Sequence, residues 1–262
     1  MTTRYNPLSK KLIKVDKTLS YIKIKDDCKS IGHGVFLQAR AKNVKLPRSL
    51  ETIEDRAFYD SHLKTIEIPR RVKNMGASAF SDSVFLEKAV INCKRIGLFA
   101  FANCRSLIEV KLNNVSIIDN YAFDGCKIKE IIFPSTLSKI GSCAFRNGLD
   151  ENIKEIILPD GLQEISVDAF DKTCVQDVYV PASVTYFKPA NLTAHPHPHN
   201  PSIRWHMSKS HIAEHPGICN YINVVEKSLD DLIKEGKSLS EINDLLSEND
   251  LENKNQDTNY SL

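Results

Sequence analysis

Along most of the chain, aliphatic and polar residues alternate in short runs that end at a proline. Examples are Leu63-Lys-Thr-Ile66-Glu-Ile68-Pro69, Ile128-Lys-Glu-Ile131-Ile-Phe133-Pro134, Ile153-Lys-Glu-Ile156-Ile-Leu158-Pro159 and Val175-Gln-Asp-Val178-Tyr-Val180-Pro181. A strand sends successive side chains to opposite faces, so Ile66 and Ile68 point to a core while Thr65 and Glu67 point out; the proline then ends pairing by removing a donor. Each run reads as one short strand. The first is Leu19-Ser-Tyr-Ile22-Lys-Ile24, so the patterned region starts near Thr18.

Between the runs the dipeptide Ala-Phe recurs at Phe58, Phe80, Phe101, Phe123, Phe145 and Phe170, preceded by a degenerate Val35-Phe36; the successive intervals are 22, 22, 21, 22, 22 and 25 residues. Five positions before each Phe sits an aliphatic residue: Ile31, Ile53, Met75, Ile96, Ile118, Ile140 and Ile165. A unit this short cannot bury its own apolar face, so a fixed period means that units stack on one continuous core. The spacing predicts a solenoid with a curved parallel sheet, one short strand per repeat of about 22 residues, and turns or short helices between. It also predicts that Phe101, Phe123 and Phe145 form a buried stack.

The composite pattern Leu-x-x-Ile-x-Ile-Pro, then Val or Leu, then Ile-Gly-x-x-Ala-Phe-x-x-Cys resembles the BspA-type leucine-rich repeat over roughly residues 19 to 187. Asn92 and Asn113 stand where other units have Pro, and Gly148 where others have Cys. The resemblance implies a curved right-handed solenoid that binds other macromolecules and has no catalysis, in a family whose members are often exported surface adhesins.

The patterning divides the chain into an N-terminal tail (1–17), the solenoid (18–187), a His/Pro-rich linker or cap (188–219), a helical hairpin (220–248) and a disordered acidic tail (249–262). The linker carries His195, His197, His199, His206, His211 and His215, and Trp205 suits a cap over the last open turn. In the hairpin, Val225, Leu229, Leu232 and Ile233 share one helical face, and Ser238-Leu-Ser-Glu241 is a capping box before Ile242, Leu245 and Leu246. Residues 220–262 hold ten acids and four lysines, a net of −6, which argues against phosphate contact and leaves self-association, partner docking or a simple cap.

Composition adds bounds. The 262 residues are 42% apolar and 26% charged, with a formal net charge of +2, so no global field selects nucleic acid or anionic membrane. No apolar run approaches the roughly 20 residues that span a bilayer, and Met1-Thr-Thr-Arg-Tyr-Asn-Pro7 is no export signal, so the expected place is the cytoplasm, or a host's cytoplasm if the chain is viral. Seven irregularly spaced cysteines without a CxxC pair read as free thiols; Cys104 and Cys126 follow the repeat as small core residues. No phosphate loop, HExxH or GxSxG occurs, so no catalytic residue, metal or cofactor is assigned and the protein is read as no enzyme.

The outward strand positions supply the site. Glu109, Glu130, Glu155 and Asp177 fall in one row, and like charges on neighbouring strands repel. Beside them Ile132, Ile157 and Tyr179 place apolar surface on the sheet, a feature that marks interaction sites. The expected function is a non-enzymatic interaction scaffold that binds a protein with a basic, partly apolar patch through these seven residues, with residues 220–248 aiding docking or homodimerisation. An adhesive protein at a cell or virion surface is the alternative. Metal binding through the histidine tract, whose imidazoles suit zinc, nickel or copper, ranks third.

Overall fold

The computed structural model describes residues 3–188, 202–215 and 223–226. It starts with β1 (Thr3–Asn6) and β2 (Lys11–Val15). Longer and shorter strands then alternate: β3 (Tyr21–Lys23), β4 (Ser30–Ile31), β5 (Asn43–Lys45), β6 (Thr52–Ile53), β7 (Thr65–Ile68), β8 (Asn74–Met75), β9 (Lys88–Ile91), β10 (Arg95–Ile96), β11 (Glu109–Leu112) and β12 (Ile117–Ile118). Next come β13 (Lys139–Ile140), β14 (Glu155–Ile157), β15 (Glu164–Ser166), β16 (Asp177–Tyr179) and β17 (Tyr186–Lys188), then β18 (Arg204–Met207), the helix α1 (Lys209–Glu214) and β19 (Asn223–Glu226). The result is a parallel β-solenoid.

One side carries the longer strands in two ladders, β3-β5-β7-β9-β11 and β14-β16-β18-β19. A second side carries two more, β2-β4-β6-β8, with β1 at its edge, and β10-β12-β13-β15-β17, whose strands beyond β2 have only two or three residues. The third side is made of turns, and here the Ala-Phe repeat acts. Phe58 donates its backbone N–H to the carbonyl of Ala79 at 2.7 Å, and the same bond joins Phe36, Phe80, Phe101, Phe123 and Phe145 to the alanine of the next unit at 2.7–2.8 Å. Left-handed residues bracket the dipeptide, as at Arg56 (φ 53°) and Asp60 (φ 50°). A fully buried alanine fits where two turns come this close; a larger side chain would separate them.

The phenylalanines point inward as one stack. Phe36, Phe58, Phe80, Phe101, Phe123, Phe145 and Phe170 are buried, with successive ring centroids 4.4–5.6 Å apart and planes within 17°. Burying each ring is worth about 1.5–3 kcal/mol, and each aromatic contact adds about 0.5–1.5 kcal/mol. The position three residues after the ring ties neighbouring units together. Ser83 Oγ, Cys104 Sγ and Cys126 Sγ each donate to the carbonyl of the preceding unit's phenylalanine, at 2.8, 3.1 and 3.2 Å. The cysteines are thus weak donors as well as core filler. Asn92 and Asn113 also form a ladder: Asn113 Nδ2 donates to Asn92 Oδ1 at 2.7 Å, and Asn92 Nδ2 to the Ile68 carbonyl at 3.1 Å.

Two irregular intervals mark two breaks. Just ahead of the 25-residue interval, which runs from Phe145 to Phe170, residues 130–133 form no strand, and this unit's ladder pairing is reduced to the bridges Glu109↔Glu130 and Ile128↔Leu149. At the 21-residue interval the short-strand ladder stops between β8 and β10. Gly97 lies there, where a Cβ would come within 2.3 Å of the Met75 carbonyl.

Both ends depart from the expected boundaries. The expected N-terminal tail is instead a hairpin: β1 pairs antiparallel with β2, and β2 pairs in parallel with β4, burying Leu12 and Val15 and covering the first turn's edge. At the other end the expected linker supplies β18, which pairs with β16 and buries Trp205 opposite Val178. The short helix α1 also falls in that segment. Residues 223–226, expected as the start of a helix, form β19 on the open edge of β18; a waiting ladder outweighs helical periodicity where Val224 and Val225, both β-branched, sit side by side. The remainder of the expected hairpin and the acidic tail lie outside the described residues.

Candidate interaction surface

The long-strand face presents its outward side chains in register. Tyr21, Lys23, Asn43, Lys45, Thr65 and Glu67 are exposed on the first three strands. Further along, charges on neighbouring units pair with each other: Lys64 with Glu87 at 3.1 Å and Lys88 with Glu109 at 2.5 Å. Exposed pairs of this kind are worth about 0.2–1 kcal/mol each. Glu109 therefore already has a cation beside it.

At the break, Glu130 is exposed and Ile132 half-buried; across it, Glu155 is exposed and Ile157 half-buried. Asp177 and Tyr179 correct the sequence expectation. Strand β18 lies beside them and leaves Asp177 7% and Tyr179 8% exposed. Asp177 accepts two hydrogen bonds from Arg204, at 2.8 and 2.6 Å, and contacts His206 Nε2 at 2.6 Å, while Tyr179 stacks on the His206 ring at 4.5 Å. Burial pushes the Asp177 carboxyl up, but Arg204 and His206 together outweigh it and hold the group below its ordinary value. The expected row of four like charges is thus neutralised at Glu109 and Asp177, and Tyr179 offers no exposed apolar surface. A signal for β18 was present in the sequence: Ile203, Trp205 and Met207 alternate with Arg204 and His206, as in the proline-ended runs.

The remaining polar clusters are structural. Ser142 and Ser166 donate to the Asp168 carboxylate at 2.7 and 2.6 Å. Burial pushes the neighbouring Cys143 thiol up to about 12, the reverse of what a nucleophile needs. His211 is buried with Nε2 2.6 Å from the Val184 carbonyl, and burial lowers its pKa. A shallow groove of about 510 Å³ lies at the short-strand break, bordered by Glu54, Asn74, Arg95 and Asp119; Arg95 and Asp119 are paired at 2.7 Å. Among the described residues no three His, Cys, Asp or Glu side chains group to hold a metal ion, and His195, His197 and His199 lie outside them. Among the same residues no helix is long and apolar enough to cross a membrane.

Short parallel strands, an Ala-Phe turn and a filled core define the leucine-rich-repeat class of solenoid. The profile described as BspA type leucine rich repeat region matches in six copies over residues 10–94 and 86–192, and the chain belongs to that family. No curated protein matches the chain. Among solved structures, a leucine-rich repeat protein from Bacteroides ovatus ATCC 8483 is 21% identical, with a TM-score of 0.47 over 71% of this chain and 62% of its own. One from Eubacterium ventriosum ATCC 27560 is 22% identical, with a TM-score of 0.46 over 55% of this chain and 47% of its own. A leucine rich cell surface protein from Faecalibacterium prausnitzii A2-165 is 20% identical, with a TM-score of 0.36 over 87% and 62%. The chain thus spans about half to two thirds of the length of these proteins.

Proposed function

We propose that the chain is a non-enzymatic interaction scaffold that takes a protein partner on its long-strand face, around Glu130, Ile132, Glu155 and Ile157, with Glu109 at the rim. The observation behind this reading is the break in the ladder. Residues 130–133 leave strand geometry there, and exposed carboxylates flank half-buried isoleucines on both sides of the gap. Such a surface complements a partner with a basic, partly apolar patch and disfavours nucleic acid and anionic lipid. Among the described residues six cysteines are free, five of them buried, which supports a cytoplasmic setting, where thiols stay reduced.

The test is a pull-down with the full chain and mass-spectrometric identification of what it retains. Glu130→Lys with Glu155→Lys is expected to abolish the retained partner while leaving Tm unchanged. Retention at wild-type affinity in moderate salt places the site elsewhere on the chain.

A further inference from the structure

The opposite end of the same face has the opposite charge. Residues 1–50 hold twelve Lys and Arg against three Asp. On the sheet, Lys23 and Lys45 stand directly in register on β3 and β5, beside Tyr21, which is 57% exposed, and Asn43. Lys42 immediately precedes β5, and the backbone N–H of Arg40 donates to the carbonyl of Lys17 at 2.8 Å, which brings two more cations to the same end of these turns.

Like charges directly opposite on neighbouring strands destabilise the pair. Elsewhere in the solenoid, cations meet carboxylates of the next unit, as in Lys29–Glu51, Lys64–Glu87 and Lys139–Glu164. Lys17, Lys23, Arg40, Lys42 and Lys45 have no such partner among the described residues. Five exposed cations without such a partner among the described residues, on the same turns as an exposed tyrosine, form a surface suited to an acidic, partly apolar chain.

We propose that the occupant is the protein's own segment 227–262, docked on this face within the same chain. That segment has nine acids and four lysines, interspersed with Leu and Ile, so its charge and apolar content complement the patch. Its 36 residues span up to roughly 120 Å when extended. From β5 to β19 the face runs about eight strand spacings, roughly 40 Å at about 4.8 Å each. A tethered segment of sufficient reach meets its site at an effective concentration on the order of millimolar, which favours it over a second copy at ordinary protein concentrations.

Zero-length carbodiimide cross-linking of the full chain tests this, because it joins only lysines and carboxylates already in contact. A one-to-one mixture of unlabelled and 15N-labelled protein separates links within a chain from links between chains. The expected result is links from Lys23, Lys42 or Lys45 to carboxylates of residues 227–262 within one chain. They should be lost in Lys23→Glu with Lys45→Glu, and in about 0.5 M NaCl, where the Debye length shrinks to roughly 4 Å. Links found only between labelled and unlabelled chains make the occupant a second copy and overturn the proposal. So does the absence of such links, whether the patch retains a single-stranded oligonucleotide or nothing. The Glu130/Glu155 pull-down is independent of these outcomes.

Discussion

Arg204 donates two hydrogen bonds to the carboxylate of Asp177, at 2.8 and 2.6 Å, from the strand directly beside it. This contact pins β18 onto the solenoid. It also makes what the sequence presents as an outward acid the buried partner of an ion pair whose arginine stays half exposed, and it draws in His206, whose ring covers Tyr179.

The C-terminal end is expected to loosen in acid. Asp177 has a depressed pKa in the fold, so its contribution is present above its ordinary value of 3.8 and lost as pH falls through the lower folded value. His211 is also depressed, by burial first, so the fold favours its neutral form; that contribution is complete above 6.5 and declines as pH falls from there toward the folded value. Trp205 is the only tryptophan and is 2% exposed, so its emission reports this end alone. The expected outcome is a red shift that begins below about pH 6.5 and steepens below about pH 4. Emission constant down to pH 3 would show that neither group is coupled to β18.

Phe123 stands between Phe101 and Phe145, with centroids 5.4 and 5.3 Å away, and is fully buried. Phe123→Ala is expected to cost about 3–5 kcal/mol, because adjacent turns cannot close over the missing ring without breaking their 2.8 Å backbone bonds. Chemical denaturation checks it. A loss below about 1 kcal/mol would mean the stack relaxes freely.

Gly148 occupies a position that carries cysteine in other units, yet a Cβ there would lie 2.3 Å from the Phe123 carbonyl. Gly148→Cys, which restores the repeat pattern, is expected to destabilise by about 1–3 kcal/mol, since a backbone atom has to move. An equal or raised Tm would refute this.

Native thiol labelling should be sharply uneven. Cys174 is exposed, whereas burial pushes Cys93 up to about 12 and raises Cys104 and Cys126 as well. Among these four, Cys174 is expected to react in the folded protein and the other three only after unfolding. Rapid modification of Cys104 would contradict its place in the core.

Periodicity by itself determined the solenoid, the inward rows of Ile and Val, and the phenylalanine stack. The reason is physical: identical units must offer identical faces to one another, so burial repeats with the sequence. The 25-residue interval from Phe145 to Phe170 was equally legible, but an insertion announces only that register is disturbed, and the ladder opens ahead of it at residues 130–133, inside the run Ile128-Lys-Glu-Ile131-Ile-Phe133-Pro134 that reads as an ordinary strand. The ends were decided by tertiary structure. Thr3–Asn6, Lys11–Val15 and Arg204–Met207 lack the Ala-Phe signature and become strands because a neighbouring ladder leaves N–H and C=O groups unpaired. The same holds for the charges. Asp177 reads like Glu130 and Glu155 along the chain, and only the register of β16 against β18 places Arg204 opposite it and buries it, because pairing across strands is set by contact between residues 27 positions apart rather than by local pattern.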